Sequence, residues 1–360
     1  MRILHLPSNA GGNAIGLAQG ERALDLDSTV LSLTKNPFQY SANIEIDLQD
    51  KNLLLQLFSR IKTFAKYRNG FDVYHFNFGS TLLHAPQFGL NLVDLPFYDK
   101  SSRIIFTYQG CDARQKYPTI TRCQTAGSAM AACFNSTCYK GMCNSGKRDT
   151  WRRKAIDKVA KYAQHIFALN PDLLYFLPKE LTTFLPYTIA NYADIKIKTT
   201  PFFKDDKIRI VHAPTDRAAK GSDYILTALQ SLKNEFGERI IIDIVENLPH
   251  KEALVRYQQA DLFIDQMLIG WYGAVAVEVM KMGIPVAVFV NPEHLQFIPA
   301  AMAKELPFLP VTIFNLQEKI RAFIKQRDMA IELAASGISF VEKWHDPLKI
   351  AEITKSFYKK

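Results

Sequence analysis

The chain alternates short apolar runs with segments of helical period, and it does so twice, on either side of a Lys- and Pro-containing stretch from Asp194 to Asp206. Few architectures accept that order. A strand, a helix and a second parallel strand must cross over right-handed, which builds doubly wound α/β units. In the first half, Ile3 to Leu6, Ser28 to Leu33, Asp72 to Phe76, Arg103 to Tyr108 and Phe184 to Tyr187 read as strands, with helices over Ala14 to Arg22 and over 151–164. In the second half strands are predicted over 208–212, 239–245, 261–265 and 285–290, with helices over 222–235, 250–259 and 274–282. A length of 360 residues accommodates two such units, expected over 1–193 and 207–344.

Charge narrows the partners. Hydrophobic content of 48% with 22% charged residues describes a globular chain, and the formal charge of +9 points to an anionic partner: a nucleotide sugar, an acidic lipid surface or nucleic acid. Part of the excess lies in Lys147, Arg148, Arg152, Arg153, Lys154, Lys158 and Lys161, along a helix whose apolar positions are Ile156, Val159, Ala160 and Ala163. That helix reads either as a solvated face or as a peripheral contact with anionic membrane at the inner face, where lipid-linked acceptors are found. No apolar run is long enough to span a bilayer, and MRILHLPSNAGG is too soon interrupted for a secretory signal, so a cytoplasmic protein is expected.

The segment DLFIDQMLIGWYGAVAVEVMKMGIP, Asp261 to Pro285, carries the densest chemical signal. It joins a buried strand to a loop with Gly270 and Gly273 and then to a helix with one acid, Glu278, among apolar neighbours. A carboxylate there needs hydrogen-bond donors to be buried. Asp265 ends the strand. Upstream, Arg217 and Lys220 sit between the strand at 208–212 and a Gly-started helix. Helix N-termini carry partial positive charge, so two helix starts and two cations would converge on one phosphate. In the first half, Asn9, Gly11, Gly12 and Asn13 let the backbone approach a ligand, although the Gly-x-Gly-x-x-Gly spacing is missing. Asp112 and Arg114 follow another strand end and could pair with each other; His75 reads as a hydrogen-bonded core histidine.

The order strand, Arg/Lys-Gly, helix, then Gly-rich loop and Glu-bearing helix resembles the C-terminal half of family 4 glycosyltransferases of the GT-B fold. The resemblance implies two Rossmann-like domains facing across a cleft, with FVEKWHDPLKIAEITKSFYKK, 345–360 at its end, returning to the first domain. It implies that Lys220 and Arg217 hold the diphosphate of a nucleotide-sugar donor, that Glu278 binds the ribose, and that Gly11 and Gly12 lie beside acceptor or donor phosphates. Gln109, Gly110, Asp112 and Arg114 match a His-Gly-x-Asp-x-Arg element, with Gln109 in the place of the His that touches the donor sugar. Gly270 stands where the family carries a second Glu, and Asp265 is assigned the missing acid. Sugar transfer with retention to a glycan or lipid-linked acceptor follows, with Lys220, Arg217 and the helix start at Gly273 stabilising the leaving diphosphate, without a catalytic metal and with nucleic acid disfavoured as partner. Two rivals stand beside it: a nucleotide-sugar epimerase of the same fold, and a non-catalytic binding or scaffold protein.

All five cysteines, Cys111, Cys123, Cys133, Cys138 and Cys143, fall in one segment, 111–146, assigned to the first domain as an insertion. A step of five residues cannot keep Cys133, Cys138 and Cys143 on one helical face, so they are expected on loops. Disulfides are disfavoured in the cytoplasm. The alternatives are a structural zinc site from Cys123, Cys133, Cys138 and Cys143, or reduced thiols packing a loop.

Overall fold

The structure, a computed structural model, describes residues 1–35, 40, 42–128 and 130–359. It divides into two compact units, Met1–Gln115 with Lys147–Tyr192 and His345–Lys360, and Lys116–Gly146 with Ala193–Trp344. No helix among the described residues is long and apolar enough to cross a membrane.

The first unit is built on seven strands: β1 (Arg2–Leu6), β2 (Asp27–Ser32), β3 (Ile44–Glu45), β4 (Val73–Asn77), β5 (Arg103–Tyr108), β6 (His165–Ala168) and β7 (Thr182–Phe184). They lie in the order β3-β2-β1-β4-β5-β6-β7, every pairing parallel. The order reverses direction between β1 and β4, as in dinucleotide-binding sheets. Strands buried on both faces need continuous apolar runs rather than alternation. Leu4, Leu6, Tyr74, Phe76 and Phe106 accordingly form one core with helix Lys147–Tyr162 packed over it through Ala155, Ile156 and Val159. The strand expected over Phe184 to Tyr187 lies two residues earlier. The two-residue β3 and the helix Leu53–Tyr67 have no counterpart in the sequence reading.

Helix Asn13–Ala23 carries Gly16 and Gly20 one turn apart, and both are close-approach positions. A Cβ on Gly16 would stand 2.5 Å from the Ile189 carbonyl oxygen, and one on Gly20 would stand 2.0 Å from that of Pro347. The second contact is with the C-terminal helix Pro347–Tyr358, which Asp346 caps through Leu348 N at 2.9 Å. Tyr358 at its end donates to Glu21 Oε1 and shares a hydrogen bond with His75 Nδ1, both at 2.7 Å. His5 Nε2 and Ser28 Oγ reach the other Glu21 oxygen, and Thr107 Oγ1 meets His75 Nε2 at 2.6 Å. The C-terminal segment therefore belongs to the first unit.

The second unit holds β8 (Ile208–His212), β9 (Ile240–Ile244), β10 (Leu262–Ile264), β11 (Val286–Val288) and β12 (Leu309–Pro310), ordered β12-β11-β10-β8-β9 and parallel throughout. Here the reversal falls between β8 and β10. Helices Ser222–Phe236, Leu316–Ile324 and Arg327–Trp344 cover this sheet with Ile225, Leu229, Ile320, Phe323 and Ala330.

One boundary is corrected. Residues 116–146 pack with the second unit rather than the first. Ala132 N donates to Leu268 O at 3.0 Å, and Tyr139 N donates to Asp216 Oδ2 at 3.1 Å. The reason is that these backbone donors lie at the starts of short turns, where no intrahelical acceptor is available, and so pair with second-unit acceptors far away in sequence.

Candidate functional site

Ligands of open parallel sheets bind beyond the carboxyl ends of the strands, where the order reverses. In the second unit that place is the end of β8 and β10. Asp265 follows β10, and Lys220 ends the four-residue helix Arg217–Lys220 that follows β8. Lys220 Nζ donates to Asp265 Oδ1 at 2.6 Å, and Gly273 N donates to Asp265 Oδ2 at 2.8 Å. Gly273 caps helix Ala274–Lys281. A Cβ there would stand 3.6 Å from Lys220 Nζ. One ammonium, one helix-start amide and one carboxylate thus share a small volume, with Lys220 the more accessible partner of the pair. Beneath them His212 is fully buried, its Nδ1 on Ile264 O and its Nε2 on Ser222 Oγ, both at 2.8 Å. Burial, reinforced by the nearby Lys220 charge, pushes this imidazole down to about 4, so it stays neutral and ties β8 to β10 and to helix Ser222–Phe236.

Arg217 is engaged elsewhere. Its Nε and Nη2 donate to the two oxygens of Glu246 at 2.9 and 2.5 Å in an exposed bidentate pair. Asp216, one residue before, accepts from Ala219 N at 2.8 Å and so caps the short helix that carries Lys220.

Glu278 lies on the second turn of helix Ala274–Lys281 and has no exposed surface. His250 Nε2 meets its Oε1 at 2.8 Å. Nothing in the sequence pattern links these two, because they are 28 positions apart on different helices. At Gly270 the backbone has φ +79°, and a Cβ would come within 2.9 Å of His294 Cε1, whose ring also meets the Gly270 carbonyl at 3.1 Å. A glutamate does not fit at this position. The departure from the family pattern therefore belongs to the loop's conformation.

In the first unit, Gly11 and Gly12 form a turn at φ +59° and +73°, and a Cβ on the buried Gly12 would approach the Cβ of Ala190 to 3.0 Å. Gln109 N and Gly110 N both donate to Asp112. Burial pushes the Asp112 carboxyl up to about 6, against the lowering pull of those amides and of Arg114. Arg114 itself forms a bidentate pair with Asp172, at 2.5 and 2.9 Å, which corrects the Asp112 pairing considered above. Asp172 is 58 positions away, too far for spacing to reveal. A cavity of about 450 Å³ opens beside Asp112, walled by Phe78, Gly79, Lys147, Arg148 and Trp151. The cations of that wall are legible in the sequence, but no spacing marks Trp151, whose buried indole N–H has no partner among the described residues.

The five cysteines form no disulfide. Cys123, Cys133, Cys138 and Cys143 all belong to the second unit and Cys111 to the first. Cys123 lies on helix Lys116–Thr125, and of the three expected on loops Cys133 and Cys138 lie in short 3-10 helices and Cys143 on a turn. A zinc site from the four thiols of this segment stays a proposal. His5, Glu21 and His75 also bring ligand atoms within 4.8 Å of one another. The Glu21 and His75 atoms are already engaged by Ser28, Thr107 and Tyr358, His5 Nε2 is paired with Glu21 itself, and the group has no exposed surface.

No family model matches the chain, and no curated protein matches it by sequence. Solved structures do match. Sucrose-phosphate synthase from Thermosynechococcus elongatus is 16% identical with a TM-score of 0.64, over 99% of this chain and 98% of that one. Anabaena HepE, solved in complex with UDP-glucose, is 12% identical with a TM-score of 0.62 over 99% and 98%. WaaG, a glycosyltransferase involved in lipopolysaccharide biosynthesis, is 14% identical with a TM-score of 0.57 over 98% and 99%. At such identities a likeness establishes architecture, and with two doubly wound units, and a C-terminal helix returned to the first, the chain has the GT-B fold.

Proposed function

We propose that this chain is a glycosyltransferase that moves a sugar from a nucleoside-diphosphate donor to a hydroxyl acceptor, with retention at the anomeric carbon. The observation that carries the reading is the meeting of Lys220, Asp265 and the Gly273 amide at the reversal point of the second sheet. In the transfer the bond from the anomeric carbon to the β-phosphate oxygen breaks and a bond to the acceptor oxygen forms. The nucleoside diphosphate departs with the electron pair, and the acceptor proton is released. Lys220 and the start of helix Ala274–Lys281 face the negative charge that builds on the departing diphosphate, where fixed donors accelerate the step. Asp265 orients Lys220, and Arg217 is the second cation once it exchanges Glu246 for phosphate.

Glu278 is the ribose contact, made by exchanging His250 for the diol. Gln109, Asp112, Arg114 and the turn at Gly11 and Gly12 serve the sugar and acceptor side in the first unit. The cavity beside Asp112 is the acceptor's seat, its aromatic wall suited to a sugar face and its cations to an anionic glycan or a lipid-linked one. Cys123, Cys133, Cys138 and Cys143 hold a structural zinc.

Nucleotide binding tests the donor site. UDP and ADP raise the melting temperature of the parent protein. Lys220→Ala weakens the tighter of the two by about tenfold or more, the scale of a lost charge-assisted contact. A parent that neither nucleotide stabilises, or a Lys220→Ala variant that binds as the parent does, ends this reading. Consumption of a nucleotide sugar without any acceptor would favour the epimerase instead.

A further inference from the structure

Helix Leu53–Tyr67 is amphipathic in the reverse sense. An ordinary surface helix turns its apolar stripe inward. Here Leu54, Phe58 and Ile61, spaced four and three apart on one face, are 78%, 65% and 49% exposed, and Leu53 and Leu55 flank them in the open. The inward side is held by different means. Phe64 and Tyr67 pack on the core of the first unit, and Arg60 Nη1 donates to Leu82 O at 2.9 Å. The helix is well anchored, with Asn52 capping it through Leu55 N at 3.0 Å. Its outward stripe is consequently presented by a fixed scaffold.

We propose that this stripe is a membrane-surface contact whose partner is an anionic bilayer. Three observations select that occupant. The stripe is short: Leu54 to Ile61 advances about 10 Å along the helix axis, whereas a stable dimer buries about 800 Å² on each partner. Its side chains are large and aliphatic or aromatic, the kind that enters the boundary between headgroups and acyl chains. Its charge is of one sign. Between Lys51 and Arg68 there is no acid, and Lys62, Lys66 and Arg68 are exposed beside the stripe. Each cation near an anionic surface adds to the attraction, and burial of three large side chains adds a comparable or greater amount. This contact does not depend on the donor reading, and it places membrane association on a different element from the basic helix Lys147–Tyr162.

Co-sedimentation with vesicles tests it on the full chain. The parent is expected to pellet with phosphatidylcholine vesicles containing about 30% phosphatidylglycerol and to stay in the supernatant with phosphatidylcholine alone. A triple variant, Leu54→Ser, Phe58→Ser and Ile61→Ser, should lower the partition coefficient by at least about tenfold. Lys62→Glu with Lys66→Glu should do the same and leave little salt dependence. Since these side chains are exposed, the thermal melts should match that of the parent, and a variant that melts lower is replaced by Phe58→Ser alone. Absence of parental binding overturns the proposal, as does binding the triple variant retains. So does a dimer of the parent, seen by sedimentation velocity without vesicles, that the triple variant loses. Binding abolished by Arg153→Glu with Lys154→Glu, and untouched at Leu54, Phe58 and Ile61, assigns the contact to the other helix.

Discussion

At the scale of single residues, the candidate donor site rests on groups whose partners come from far along the chain. Glu278 is the clearest case. Its carboxylate has no exposed surface and meets His250 Nε2. Glu278→Gln keeps an acceptor for His250, so the melting temperature should change little. Nucleoside diphosphate affinity should fall about three- to tenfold, because an amide binds a diol more weakly than a carboxylate does. An affinity equal to the parent's would make Glu278 a packing residue. His212 supplies a pH dependence. In the unfolded chain its imidazole titrates near 6.5, whereas in the fold burial holds it at about 4. The unfolded state therefore binds a proton that the folded state refuses between those values. The stability tied to neutral His212 is complete above about 6.5, declines as the pH falls towards 4, and declines no further below that, by on the order of 3 kcal/mol. Denaturant midpoints at pH 7 and pH 5 measure it. His212→Gln should be less stable at pH 7, having lost the contacts to Ile264 O and Ser222 Oγ, and should lose less on acidification than the parent.

At the scale of elements, the crossing of helix Asn13–Ala23 with helix Pro347–Tyr358 depends on a missing Cβ. On an exposed helix Gly→Ala is stabilising by roughly 1 kcal/mol. At Gly20 the sign reverses, because the new carbon would stand 2.0 Å from the Pro347 carbonyl oxygen and backbone must move. Gly20→Ala should destabilise the protein by about 2 kcal/mol or more, within the range for overpacked sites. Its C-terminal residues should also become open to carboxypeptidase, since displacing that helix pulls Tyr358 from Glu21 and His75. Unchanged stability and protection would show that the helices can re-register. Helix Leu53–Tyr67 makes the complementary point. Its stripe of Leu54, Phe58 and Ile61 has ideal helical spacing, yet spacing alone assigns such a stripe to the core, and only its exposure reveals the opposite orientation.

At the scale of the whole molecule, the chain passes between its two units near residues 116, 147, 193 and 345. The passage at 116–146 changes what the cysteines can influence. Tyr139 N bonds Asp216, and Asp216 caps the helix bearing Lys220. If Cys123, Cys133, Cys138 and Cys143 hold zinc, purified protein contains about one equivalent, and chelation lowers nucleotide affinity as well as loosening the segment. With the segment in the first unit, the nucleotide site would have been indifferent. Elemental analysis decides the metal; protein free of zinc with five titratable thiols removes it. Nucleotide titration before and after chelation decides the coupling.

What the sequence determined by itself was the architecture and the grouping of residues at one pole of the candidate site. Apolar runs of strand length alternating with helical periods leave little but doubly wound parallel sheets, and Lys220, Asp265 and Gly273 are legible because each sits where a predicted strand ends or a predicted helix begins. Local spacing is sufficient for that, since strand ends and helix starts are local events. The tertiary structure alone decided the partners: Glu246 for Arg217, His250 for Glu278, Asp172 for Arg114, and His294 against Gly270. It also decided that residues 116–146 join the second unit and that Leu54, Phe58 and Ile61 face outward. The physical reason is common to all of these. Hydrogen bonds and burial act between groups brought together by the crossing of distant segments, and no periodicity within one segment records which other segment it will meet.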